Sequence, residues 1–180
     1  LGSVLTSTAV ILSMPEKTWA GNSYIYNLLG NSKFRNGDYA GAIEDLTKAI
    51  ELNPNNARAY NDRGFIRNEL KDYAGAIADC TKAIDLNPKL LAPYYNCGNA
   101  RTGLKDYSGA LIDYDKAIEI NSKEVAIYNN RGVVKRELED YSGATSDFNR
   151  AIELDPNYAL TYYNRGLLKR KTQNYLGAIA

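Results

Sequence analysis

The sequence predicts an all-α solenoid of antiparallel helix pairs, and three observations carry that reading. Residue types recur at a fixed step of 34: Tyr39, Tyr73, Tyr107, Tyr141 and Tyr175 form one row, and Gly30, Gly64, Gly98, Gly132 and Gly166 form another. Within each step two apolar stretches of helical spacing alternate with short turn signals. Alanine rows (Ala42, Ala76, Ala110, Ala144, Ala178, and Ala49, Ala83, Ala117, Ala151) put small residues where close-packed helices need them. A period of this length marks stacked supersecondary units, each burying its apolar face on the next.

The elements follow in order. Residues 1–22 precede the first unit. Positions 4–14 are apolar and small, and Thr18-Trp19-Ala20 is spaced like a signal-peptidase site. Two readings stand for this stretch: the remnant of a signal or anchor, or a helix packed on the first unit. The first makes the protein exported or membrane-associated, and the second leaves it cytoplasmic. A membrane role is expected only through 1–22, whose apolar run is shorter than the ~20 residues of a span. The repeat domain is 23–180, with units 23–56, 57–90, 91–124 and 125–158 and a partial unit 159–180.

In each unit a first helix, such as Ala57 to Leu70, precedes a second, such as 74–86 (AGAIADCTKAIDL). Asp38, Asp72, Asp106 and Asp140 suit the N-cap of the second helix, where a carboxylate accepts an orphan N–H. Asn53-Pro54, Asn87-Pro88 and Asp155-Pro156 end it, because proline cannot donate the next bond and disfavours helix in the residue before it. The third unit has Asn121-Ser122 there, a softer stop. Glycine inside a helix costs about 1 kcal/mol relative to alanine, so a row of five implies a steric need, with Gly64 crossing near Ala76. The fifth unit is expected to hold its first helix and only the start of its second. Its end, LGAIA, is not the polar cap a solenoid end needs, so it is expected to continue or to pack on another copy.

Two rows break the apolar pattern. Leu29, Arg63, Cys97, Arg131 and Arg165 form one, and Lys33, Arg67, Arg101, Lys135 and Lys169 form the other, four residues on and on the same helix face. A buried cation without a partner is costly. A third row, Asp45, Asp79, Asp113 and Asp147, lies mid-way along the second helix, at the level of these cations. The rows therefore predict an internal ladder of ion pairs. A basic groove for acidic peptides is the alternative.

Composition excludes much chemistry. Net charge is +1 and the pI is near 7.8, which is no electrostatic footprint for nucleic acid. Histidine is absent, so Ser-His and Cys-His pairs and histidine metal sites are not available. Two cysteines, Cys80 and Cys97, are too few for a four-thiolate site and fall on core rows, where cysteine packs as a small, buried thiol, a disulfide being conceivable only in an oxidising compartment. No cofactor, no metal site and no catalytic constellation is expected.

The rows resemble the tetratricopeptide repeat: an aromatic, Leu-Gly, an aromatic, Ala-x-x-x-Phe, then Pro. The fourth unit answers with Tyr128, Arg131-Gly132, Lys135, Ala144, Phe148 and Pro156. It is similar to a bacterial-type variant bearing Asn-Arg-Gly, as at Asn130-Arg131-Gly132 and Asn164-Arg165-Gly166. The resemblance implies a right-handed superhelix with a concave groove that binds peptides or proteins without catalysis, as a scaffold or assembly factor. A self-associating solenoid stacking through its C-terminal end, a homo-oligomer, is the alternative.

The resemblance also implies that the first helices line the groove. The matching residues are Asn27, Asn31 and Phe34; Asn61, Phe65 and Asn68; Tyr95, Asn99 and Thr102; Asn129, Val133 and Arg136; and Tyr163, Leu167 and Arg170. Asparagine can hold a peptide backbone as donor and acceptor, and the basic C-terminal part suits a peptide with an apolar centre and an acidic end. The subclass that clamps a C-terminal carboxylate is a poor match. Asn31 fits its pattern, but Asn27, Asp62, Ala92 and Asn96 replace its Lys, Asn, Lys and Arg, and Asp62 would repel a carboxylate.

Overall fold

A computed structural model describes residues 16–177. Among them are nine helices: α1 (Glu16–Arg35), α2 (Tyr39–Leu52), α3 (Ala57–Glu69), α4 (Tyr73–Leu86), α5 (Leu91–Gly103), α6 (Tyr107–Ile120), α7 (Val125–Glu137), α8 (Tyr141–Leu154) and α9 (Ala159–Gly177). They form two compact bodies, residues 1–88 and 89–180. In the first, α1 pairs with α2 and α3 with α4; in the second, α5 pairs with α6 and α7 with α8, and α9 lies on α8 and α7. Most of the signal or strap expected at 1–22 lies outside the described residues, and Glu16–Asn22 open α1. No described helix is long and apolar enough to cross a membrane.

The turns are built as the sequence dictates. Asp38, Asp72, Asp106 and Asp140 each accept the N–H of the glycine three residues on, at 2.8–3.0 Å. The expected soft stop at Asn121 is as firm as the others. Its N–H returns to the Ala117 carbonyl, and its Oδ1 accepts the Lys123 N–H at 3.0 Å, the same side-chain turn that Asn53 makes before Asn55. The asparagine therefore does without proline.

The fifth unit departs from expectation. In the second to fourth units the first helix breaks at Lys71, Lys105 or Glu139, each in the left-handed region at φ 62–63°, and in the first unit at Gly37, at φ 83°. α9 instead runs unbroken past Gln173 and Asn174 to Gly177. A left-handed residue other than glycine persists only where its surroundings hold it.

The glycine row is steric, as its cost implied. An added Cβ would sit 2.6 Å from the Tyr114 ring at Gly98, 2.7 Å from Phe148 at Gly132 and 3.1 Å from the Asp79 Cβ at Gly64, with the Ala76 carbonyl at 3.3 Å. At Gly166 nothing among the described residues lies within 4 Å. Cys80 and Cys97 are buried as expected, but of the described cysteines neither is a free thiol.

The cations are the ladder. Arg63 holds Asp79 through two parallel bonds of 2.9 and 2.7 Å, and Arg67 adds a third at 2.8 Å. Arg131 holds Asp147 in the same fork at 2.8 and 2.6 Å, joined by Lys135 at 2.8 Å. Lys33 pairs with Asp45 at 2.6 Å and Arg101 with Asp113. Each pair lies within one unit. The spare guanidinium nitrogen reaches the preceding second helix, Arg63 to Thr47 and Arg131 to Asp115. Arg63, Arg131 and Arg165 also lie over Tyr60, Tyr128 and Tyr162, with centroid distances of 5.4–5.8 Å. Where Cys97 stands in this row, Asp113 has Arg101 alone. Burial pushes the Asp113 carboxyl above its usual value, against the pull of Arg101.

Candidate functional site

With the ladder cations engaged on Asp45, Asp79, Asp113 and Asp147, the first helices present amides, hydroxyls and aromatic rings. In residues 1–88, α1 and α3 run side by side. The amides of Asn27 and Asn31 donate to Oδ2 of Asp62 at 3.0 and 2.8 Å, and Asn61 donates to Oδ1 at 3.1 Å. Further along, the Phe34 and Phe65 rings meet edge to face, 5.3 Å between centroids, and pack in part on the core around Leu46 and Ile66. Asn68 is half-buried near the end of α3.

In residues 89–180 a cavity of about 240 Å³ lies between α5, α7 and α9. Asn99, Thr102, Asn129 and Val133, four of the residues expected in a groove, line it. So do Tyr114, Asn130, Leu160 and Asn164, which sequence reasoning left out. A chain of amides crosses the three helices: Asn164 donates to Asn129 at 3.0 Å, Asn129 to Asn130 at 3.0 Å, and Asn130 to Asn99 at 2.9 Å and to the Tyr95 hydroxyl at 3.2 Å. The Tyr114 hydroxyl, from the second helix α6, donates to Asn99 at 2.8 Å. Burial pushes that hydroxyl above its usual value, so it stays a neutral donor.

The remaining expected residues are not drawn into this cavity. Arg136 is half-buried, with Nε and Nη2 on the Glu137 carboxylate at 3.1 and 2.9 Å and Nη1 without a partner among the described residues. Tyr163 is 64% exposed, Leu167 half-buried and Arg170 exposed. The signal that finds Asn130 and Asn164 is the row one residue later than the one chosen, Asp62, Asn96, Asn130 and Asn164. It is polar in each of these four units.

A second cavity, about 550 Å³, opens between α8 and α9 beside Arg165, Gly166, Leu168 and Lys169. There the Arg165 guanidinium bonds Asn149 at 3.1 Å, and neither it nor Lys169 meets a carboxylate among the described residues. Among the described residues no group of three or more acidic or cysteine side chains could hold a metal ion.

Profiles of the tetratricopeptide repeat match residues 27–90 and 91–124, and one described as TPR repeat matches 134–173. No curated protein matches the sequence. Among solved structures, the chain is similar to MamA from Desulfovibrio magneticus RS-1, at 18% identity, TM-score 0.78, over 88% of this chain and 89% of that one. It is similar to YrrB, described as a TPR protein with an unusual peptide-binding site, at 22% identity, TM-score 0.72, over 96% and 86%. It is also similar to the first TPR of Spaghetti (RPAP3) bound to the HSP90 peptide SRMEEVD, at 27% identity, TM-score 0.65, over 67% and 98%.

Proposed function

Because the chain belongs to the tetratricopeptide repeat family, we propose that it is a non-catalytic scaffold or assembly factor that holds extended peptide segments in the grooves of its first helices. Members of the family mediate protein and peptide binding, and RPAP3 is seen with a peptide in place. On this reading the binding domain is 23–180, and its working residues are the amides, hydroxyls and aromatic rings on the first helices.

The observation that carries the proposal is the amide chain from Asn164 to Asn99, set beside apolar Val133 and Leu160. An extended backbone offers one donor and one acceptor per residue, and asparagine answers both. The cavity holds no charge among its lining residues, so it suits backbone and neutral side chains.

The test begins with dodecapeptides selected from a random display library. Their affinity is expected to fall about tenfold for Asn99→Ala, the worth of a bond to a partner left unpaired. Ile112→Ala, on the exposed side of α6, should leave it unchanged. Circular dichroism checks that both variants keep their helices. Equal loss in both, or loss only at Ile112, contradicts the groove.

A second reading rests on the cavity beside Gly166 and Lys169. Self-association through this face would place a carboxylate of another copy on Arg165 and Lys169. Light scattering that rises with protein concentration favours it over peptide capture.

A further inference from the structure

We propose that the groove between α1 and α3 selects peptides carrying a cationic side chain, with Asp62 receiving the ammonium or guanidinium and the Phe34–Phe65 pair receiving the apolar stem or neighbour. The inference rests on the peptide-binding reading and adds a charge preference to it.

Asp62 differs from the other half-buried or buried aspartates of its body. Asp45 and Asp79 are each neutralised by a cation. Asp62 has only amide partners among the described residues, two on Oδ2 and one on Oδ1. A carboxylate has about four acceptor sites, so Oδ1 retains capacity for one more donor. The ladder cations of the same two helices are engaged elsewhere, Lys33 on Asp45 and Arg63 and Arg67 on Asp79, and none of the ion pairs among the described residues reaches Asp62. The negative charge is therefore held in place by three amides and is not cancelled.

The cradle is also one-sided in its chemistry. Asn31, half-buried, gives its N–H to the carboxylate and keeps an acceptor in its carbonyl oxygen. Asp62 and Asn31 thus present acceptors, and a lysine or arginine head supplies donors and no acceptor. The corresponding residues in the other body, Asn130 and Asn164, are neutral and donate to other amides. The substitution of a carboxylate for an amide at one unit converts a neutral backbone-binding face into a cation-binding one.

The aromatic pair completes the fit. Phe65 lies three residues after Asp62 on α3, and Phe34 three after Asn31 on α1, so rings and carboxylate share a face. Both rings are half-buried and retain exposed surface. Long cationic side chains lay their methylene stems on such surfaces while the head seeks a carboxylate. A peptide with an acidic residue at this point meets an uncancelled like charge instead.

The experiment uses the full chain, isotope-labelled, and follows the side-chain amide resonances of Asn27, Asn31 and Asn61. Three blocked hexapeptides, Ac-Ala-Leu-Xaa-Ala-Leu-Ala-NH2 with Xaa as Lys, Gln or Glu, are titrated in turn. The Lys peptide is expected to shift these resonances with an affinity about tenfold above the Gln peptide, as a charge-assisted bond requires, and the Glu peptide should bind weakest. Asp62→Asn, which restores the residue type of the other units, should abolish the difference while leaving the circular dichroism spectrum unchanged. Equal affinities for Lys and Gln, or a preference that survives Asp62→Asn, overturn the charge selection and leave the groove reading standing. If no peptide moves any first-helix resonance, the charge selection and the groove of this body both fall.

Discussion

Asp79→Ala is expected to destabilise the protein by about 3–5 kcal/mol, the range for removing one side of a buried ion pair. The effect is read as a fall in the denaturation midpoint. The side chain of Asp79 is 4% exposed and carries three bonds, two from the Arg63 fork and one from Arg67. Its loss leaves two guanidinium groups in contact with the core, with the exposed Asp72 carboxylate 3.7 Å from Arg67 as the remaining acid. Arg63 retains Thr47 at 3.0 Å and Arg67 the Gly75 carbonyl at 3.3 Å, which satisfy some N–H groups and no charge. Asp113→Ala should cost less, because it strands Arg101 alone and removes a carboxylate whose ionisation burial already opposes. Equal effects at the two sites would mean that the second cation contributes nothing to the rung.

Phe148→Ala is expected to cost a further large amount, about 3–5 kcal/mol. The ring is fully buried among Ala144, Leu168, Val133 and Tyr141, and one edge lies against Gly132. The void cannot be closed from that side, because Gly132 has no side chain to move into it. Gly132→Ala by itself should destabilise, since its Cβ would approach the Phe148 ring to 2.7 Å. In the Phe148→Ala background the same methyl has room and removes a helical glycine, so the double variant should be more stable than the sum of the singles. Additive losses would show that the ring and the glycine are not in contact.

Much of this was legible in the sequence because the repeat states each requirement several times. The Asp38, Asp72, Asp106 and Asp140 caps, the Gly64, Gly98 and Gly132 crossings and the rungs at Asp79 and Asp147 are local, or lie 12–16 residues apart within one helix pair. The groove was legible only to within a residue. One step along a helix turns a side chain by about 100°, and the rows at Asn129 and Asn130 both face the cavity. Which amide donates to which is settled by bonds between units, 31–35 residues apart, such as Asn130 to Asn99 and Asn164 to Asn129. Tyr114 was hidden for another reason. It belongs to a second helix, on the row of Leu46, Cys80 and Phe148, and only its hydroxyl reaches the groove. At α9 the local signals differ, because Gln173-Asn174 stands where the second to fourth units carry Lys71-Asp72, Lys105-Asp106 and Glu139-Asp140.

Site-specific photocrosslinking addresses the peptide-binding proposal most directly. Benzoyl-phenylalanine is placed either at position 160, where Leu160 lines the α5–α7–α9 cavity, or at position 112, where Ile112 is exposed on α6. A display-selected peptide should attach on irradiation at 160 and not at 112. Attachment at 112 with none at 160 would place binding outside the groove and contradict the proposed function.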